Sequence, residues 1–445
     1  MESNILQSPY VSSIAGRTKE KIMTVPLLLL FLYLLVEYGR PQFLAPIMPG
    51  LLLQVMLLAS LLPYGARVYS VLSEKYFRLY LLLLLFMTLH VFIAINNYYA
   101  LMGLKGMFSY LLIGVSFCIF IDNISKLNAF LSVFVTVLAV CALNRIFDTN
   151  LFGVSGHGVF TDENDFALAM NVGLPIAFFL GRVQKNWKKW LFWLAGVILI
   201  LGTMISASRG GFVGLVAVAT VCWLSSKHRV RAIPVLILLA MLAWSFAPPL
   251  SKQKIQGLGL NSAEKDTGKD RVELWKVGWK IFAHNSLIGV GQGNIPVVMN
   301  AYRFDRNGES FWARDMWGRV THSVYLTLLP ELGLVGALIF VLMLKALHVK
   351  KKKIYQLCAS AVAKEDAATI KNLATGLLVS LFGFLVTGIF LSVLYYPPLW
   401  NISALLITLF LISAKTFGEQ SQGIASALPV SILSGCANAK NDESR

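Results

Sequence analysis

Residues 79–95 read LYLLLLLFMTLHVFIAI, with no Asp, Glu, Lys or Arg in the run. Arg78 precedes it and Asn96-Asn97 follow it. A helix needs about 20 mostly apolar residues to cross a bilayer, so this stretch reads as a membrane span. The rest of the chain repeats the pattern. Of its 445 residues, 57% are hydrophobic and 14% are charged. A soluble domain is roughly 45–50% apolar and about 25% charged. These values exclude a disordered chain, a collagen-like chain and an ordinary soluble enzyme. The fold class is an all-α integral membrane protein.

Working outward gives twelve apolar runs, at about 24–38, 43–64, 79–95, 106–121, 127–144, 164–181, 190–206, 210–226, 232–248, 322–344, 374–394 and 398–414. They divide the chain into an N-terminal membrane bundle of about nine spans (1–248), a large and partly helical loop (249–321), three C-terminal spans (322–416) and a polar tail (417–445) expected to be disordered. The first 23 residues lack a signal-peptide layout, so the first helices are expected to insert the chain and stay. The connector 345–373 is expected to be a helical hairpin or a loop.

The net charge of +17 raises nucleic-acid binding as a possibility. Its distribution argues against it. With the N-terminus inside, most of the 39 Lys and Arg residues fall in inside segments, Lys350–Lys353 being the densest run. The short outside connectors hold only Arg40, Lys105, Arg145 and Arg209. That is the positive-inside pattern, with both termini cytoplasmic and the long loop outside. The five cysteines form no CxxC or Cys/His cluster, so neither a metal site nor a disulfide framework is suggested.

Charges left on the outside face carry the functional signal. Ser206-Ala-Ser-Arg209-Gly-Gly211 joins two runs. Arg209 beside the N–H groups of the following helix can bind phosphate, with glycines that let an anion approach, or it can anchor the helix end by snorkelling. Arg271, Trp275 and Trp279 share a helical face, suited to a lipid head group or to simple interfacial anchoring. The alternating glycines of Leu287-Ile-Gly-Val-Gly-Gln-Gly-Asn294 suggest backbone in close approach, a weak phosphate-loop signal without its Lys-Ser/Thr ending. Thr321-His322-Ser323 opens the tenth run. A His at a helix N-terminus has a lowered pKa and suits a general base, while Thr321 as N-cap would make it structural. Asp162-Glu163-Asn164-Asp165 precedes the sixth run. Acids in a first turn are favourable by themselves, which is the preferred reading of Asp162, whereas Asn164 and Asp165 stay open as cation or sugar contacts. Further outside arginines are Arg145, Arg303, Arg306, Arg314 and Arg319, interleaved from Tyr302 to Arg319 with Phe304, Phe311, Trp312 and Trp317, a mixture suited to sugar stacking and phosphate contacts or to a lid on the membrane.

These residues resemble the O-antigen ligase and O-antigen polymerase superfamily of bacterial membrane glycosyltransferases. Ser208-Arg209-Gly210-Gly211 resembles its Ser-Arg-Gly step, and Arg271-x3-Trp275 with Gly289-Val-Gly-x-Gly-Asn294 resembles its large periplasmic loop. His322-Ser323, nine residues, Gly333, two residues and Gly336 fit the ligase signature. Phe160 to Ala167 resembles the region before a middle span in polysaccharide polymerases of the group.

The resemblance implies a glycan donor on undecaprenyl diphosphate, inversion at the anomeric carbon, no metal and no cofactor. It implies that Arg209 and Arg271 bind the diphosphate and that His322 activates the acceptor hydroxyl. Arg145, Asn164, Asp165 and Arg319 are candidate donor or acceptor contacts. The expected place is the bacterial inner membrane, with the active site facing the periplasm and no nucleic-acid partner. The first reading is a ligase that moves a glycan onto lipid A–core. A polymerase joining lipid-linked repeats and a protein O-oligosaccharyltransferase share its donor. A lipid-linked glycan transporter is the reading from another class. It needs ionisable groups near mid-membrane, whereas here they crowd the outer rim.

Overall fold

The apolar runs become helices, and local polar residues set where several of them start. The computed structural model describes residues 23–40, 49–147, 162–226, 267–304 and 315–427. Helix α1 spans Val25–Leu34 and ends in a π turn, Leu35–Gly39. Helices α2 (Pro49–Leu61) and α3 (Gly65–Leu72) are joined by a 3-10 turn. Next come α4 (Lys75–Ile93), α5 (Asn97–Phe120) and α6 (Ile124–Ile146). Asn96 and Asn123 cap the last two by accepting backbone N–H groups from Tyr99 and Lys126. Helices α7 (Glu163–Val183), α8 (Lys188–Ile205) and α9 (Arg209–Leu224) complete the N-terminal part. Helix α10 (Thr267–His284) and the single turn α11 (Ile295–Val298) follow within residues 249–321. The chain then forms α12 (Tyr325–Ser360), α13 (Lys364–Thr387) and α14 (Pro397–Ala427).

Among the described residues, nine helical stretches are long and apolar enough to cross a membrane, and two shorter apolar helices, α1 with its π turn and α9, accompany them. Every expected run except the ninth falls on one of these helices. The ninth, 232–248, lies outside the described residues, as do Arg306, Phe311, Trp312 and Arg314. The connector 345–373 takes the helical-hairpin form of the two expected, because α12 continues to Ser360 before α13 begins at Lys364. Two boundaries differ from the expectation. Helix α14 continues past 416 to Ala427. The tenth span starts at Tyr325, three residues after His322.

Helix α7 is the hub. It packs against α6, α8, α9 and α13, and its middle is buried on all sides. Such a helix needs polar groups only where they pair. Asn171 meets that need: its Nδ2 donates to Gly211 O (2.8 Å) and Thr387 Oγ1 (3.2 Å), and its Oδ1 faces Thr203 Oγ1 at 3.4 Å. One buried amide thus ties α7 to α8, α9 and α13, a form of polar bonding that fixes helices where apolar contacts alone discriminate little. Small residues allow the approach. A Cβ on Gly214 would stand 2.0 Å from Thr387 Oγ1, and one on Gly211 would stand 2.3 Å from Ala167 Cβ.

Helix α12 is broken. Gly333 has φ 61° and ψ −164°, three residues after Pro330. Four backbone groups at the break are taken by residues 286–291. Pro330 O and Glu331 O accept from Val290 N and Gly291 N, both at 2.9 Å, and Leu334 N and Val335 N donate to Ser286 O and Leu287 O. Irregular backbone at membrane depth is tolerated where protein satisfies it in this way.

Candidate active site

Helix direction brings the candidate residues to one side. Successive antiparallel spans place the end of α6, the start of α7, the end of α8 and the start of α9 together. Arg145 occupies the last turn of α6, where a cation suits the helix C-terminus. Asp162 caps α7 by accepting from Asn164 N at 2.6 Å. Ser208 caps α9 by accepting from Gly211 N at 2.9 Å. The two caps are joined: Ser208 Oγ donates to Asn164 Oδ1 at 2.7 Å, and Asn164 Nδ2 donates to Asp162 Oδ1 at 2.7 Å. Asn164 therefore sets the register of α7 against α9. This agrees with the helix-start reading of Asp162 and gives Asn164 a positioning role.

The cap also changes the reading of Gly210 and Gly211. Both are buried. A Cβ on Gly210 would meet Phe390 Cβ at 2.7 Å. These glycines let helices touch and do not open the backbone to an anion. Arg209, the first residue of α9, is left to do any anion binding with its side chain.

Helix α10 docks on the start of α12. Its buried face is Leu274, Val277, Gly278 and Ile281, packed over Ile295, Val298, Met299 and Met316. Gly278 is set against Thr321, where a Cβ would come within 2.8 Å of Thr321 Cγ2. Arg271 lies seven residues before Gly278, on the same helical face, and its charge acts on His322. Trp279 does not share this position; it is exposed, while Trp275 is half-buried.

His322 sits in a left-handed conformation, φ 49°, between the loop and α12. Thr321 is not the N-cap. It is buried, with Oγ1 3.3 Å from Ser392 Oγ and 3.4 Å from Thr327 Oγ1. The histidine is held below its usual pKa range by burial first, with Arg271 and Arg319 pressing the same way and Asp162 opposing them. The expected lowering is present, but its causes are burial and neighbouring charge. Arg271 is lowered by burial, supported in its charge by Asp162 and opposed by Arg209. Asp162, Arg209, Arg271, His322 and exposed Arg319 thus form one electrostatic group assembled from four separate parts of the chain. Asp165 faces another way, accepting from Tyr396 Oη at 3.0 Å.

The alternating glycines are not a phosphate cradle. Gly289, Gly291 and Gly293 all have positive φ, and the N–H groups of Val290 and Gly291 are spent on α12. Gln292 Nε2 donates to Met87 O and Ala100 O, and Asn294 Oδ1 accepts from Asn96 N, so the loop is bolted to the α4–α5 corner. Among the described residues, no three His, Cys, Asp or Glu side chains form a group that could hold a metal ion.

Residues 194–341, which include Arg209, Arg271, His322 and the α12 break, match the family model described as O-antigen ligase. Over this stretch the chain is similar to the O-antigen ligase family. Members of this family are membrane glycosyltransferases, which fits the multi-pass helical architecture. No curated protein matches the chain. Within the matched residues, the signature His322…Gly333…Gly336 now has a structural meaning. A Cβ on Gly333 would stand 2.4 Å from Leu287 O, and one on Gly336 would stand 2.3 Å from Leu332 Cβ. The signature encodes a histidine followed by a broken helix. Tyr396 and Arg40 lie outside the matched residues and gave no motif; only the paired tyrosines before Pro397-Pro398 mark the first of them.

Proposed function

We propose that the protein transfers a glycan from undecaprenyl diphosphate to an acceptor hydroxyl at the periplasmic membrane face, as an inverting, metal-independent O-antigen ligase acting on lipid A–core. The observation that carries this reading is the electrostatic linkage of Arg209, Arg271 and His322, all within the residues similar to the O-antigen ligase family, with Asp162 at the start of α7 acting on the last two. His322 takes the proton of the acceptor hydroxyl; its lowered pKa keeps it neutral and able to accept. The hydroxyl oxygen attacks the anomeric carbon, and the bond to the diphosphate oxygen breaks with its electrons passing to the leaving group. Arg209 and Arg271 stabilise the charge that develops there, a role for which guanidinium groups suit phosphate oxygens. Helix α9 has 16 residues and is only about 24 Å long, shorter than the roughly 30 Å hydrocarbon core, so Arg209 at its outer end can meet a lipid-borne diphosphate within the outer leaflet.

The test is a deletion strain complemented with variants. Ligase activity predicts free lipid-linked polymer and bare core in the deletion strain, restored by the wild-type chain. Single repeat units on core would point instead to a polymerase. His322→Ala should lose transfer while still binding undecaprenyl diphosphate. Arg209→Ala and Arg271→Ala should weaken that binding, with Lys rescuing only in part because it cannot bind bidentately. Normal transfer by His322→Ala would end the general-base role.

A further inference from the structure

A short segment outside the matched domain holds the candidate site together from below. Gly388 O accepts from Val324 N at 2.7 Å. Phe390 lies against Gly210, and Ser392 Oγ faces Thr321 Oγ1. Tyr395 O accepts from Tyr110 Oη at 3.1 Å. Tyr396 Oη donates to Asp165 Oδ2 at 3.0 Å. Residues 388–396 therefore touch the His322 turn, the Arg209 helix and α7 at once.

Around Tyr396 lies a second polar group. The charges of Asp165, Asp162 and Arg40 all act on its phenol. Arg40 closes the first helix in a left-handed conformation, φ 43°, with its guanidinium 3.6 Å from Glu37 and its side chain 35% exposed. Arg40 and Glu37 also act on Tyr110. This group is not the diphosphate clamp. Asn164 and Asp165 are neighbours on α7, about 100° apart around the helix; Asn164 turns to Ser208 and the α9 side, and Asp165 turns to Tyr396 and the α14 side. Asp162 acts on Arg271, on His322 and on Tyr396, so the two groups share one centre.

An inverting transfer needs such a division. The nucleophile must approach from the side opposite the leaving group, and both must be held in line. We propose that Asp165, Tyr396 and Arg40 form the acceptor subsite, binding hydroxyls of the acceptor sugar on the side of α7 away from the arginine clamp. The chemistry suits saccharide hydroxyls. A carboxylate offers about four acceptor positions, of which Tyr396 uses one, and a phenol and a guanidinium supply an aromatic face and donors beside it. The proposal rests on the transferase reading given above.

The test uses the full-length protein in proteoliposomes, with an undecaprenyl-diphosphate-linked oligosaccharide as donor. Lipid A–core is the acceptor in one arm and a lipid-linked single repeat unit in the other. In whichever arm the wild type works, Tyr396→Phe and Arg40→Gln should raise the acceptor KM about tenfold, the usual consequence of losing a hydrogen bond to a charged or sugar group. Donor KM and kcat at saturating acceptor should stay within about twofold. Asp165→Asn, which keeps an acceptor oxygen but loses the charge, should behave alike. An unchanged acceptor KM, or an equal rise in donor KM, overturns the subsite while leaving the transferase reading intact. A wild-type protein that transfers to neither acceptor overturns the transferase reading itself, and the subsite with it.

Discussion

His322 shows how the chemistry of one residue is set by others far away in the chain. Its neutral form is favoured by burial and by the positive charges of Arg271 and Arg319, and Asp162 pulls the other way. A general base must be unprotonated, so transfer falls as pH drops through its pKa, and a depressed pKa places that acid limb below the ordinary histidine range near 6.5. Removing a positive neighbour raises the pKa and moves the limb to higher pH; removing the negative one does the reverse. Arg319→Gln should therefore shift the acid limb of the rate profile upward. Asp162→Asn, which still caps α7, should shift it downward. Opposite displacements in rate profiles of the two purified variants are the expected result, and coincident profiles would exclude His322 as the titrating base. None of this environment was legible in the sequence. The histidine, its signature and both clamp arginines could be picked out, but the motif says nothing of Asp162, which lies 160 residues earlier and read as a helix start alone.

At the scale of elements, the apolar runs were legible because a bilayer demands length and apolarity, and both are local properties. The α12 break was not, because Pro330-Glu-Leu-Gly333 sits inside an otherwise continuous span and its compensation comes from residues 286–291. The lysine run 350–353 is similar. It reads as an inside signal, yet Lys350 is buried, paired with Glu74 at 2.5 Å and set over the Phe410 ring. One of the four basic residues is thus a joint between α4 and α12. The break carries a sharp expectation. Gly333→Ala places a Cβ against Leu287 O in a backbone conformation that L-residues avoid, with a strain of about 1–3 kcal/mol before any clash. The variant should lower the thermal midpoint of the detergent-purified protein and weaken transfer. Gly106→Ala, in the interior of α5 where a Cβ meets nothing within 4 Å, is the matched control and should hold or slightly raise the midpoint.

For the whole molecule, the decisive quantity is which side the site faces. Helix α12 has 36 residues, roughly 54 Å if straight, against a core of about 30 Å. Its two ends are therefore expected on opposite sides, and the basic run near the later end predicts that end in the cytoplasm. Ala301 and Ser360 are both exposed, one in the loop before α12 and one at its end. Cysteines 141, 222 and 358 are buried and Cys118 is partly so, so replacing Cys436 with Ser lowers the background. In intact spheroplasts, a membrane-impermeant thiol reagent should label Ala301→Cys at once and Ser360→Cys only after permeabilisation. The reverse result would overturn the orientation and with it the proposed access to a periplasmic acceptor. A single pair of labels suffices because the loop is not independent of the bundle. Asn294 is bonded to Asn96, Gly278 is seated on Thr321, and residues 286–291 fill the gap in α12. The side on which Ala301 is found is therefore also the side of Arg209, Arg271 and His322.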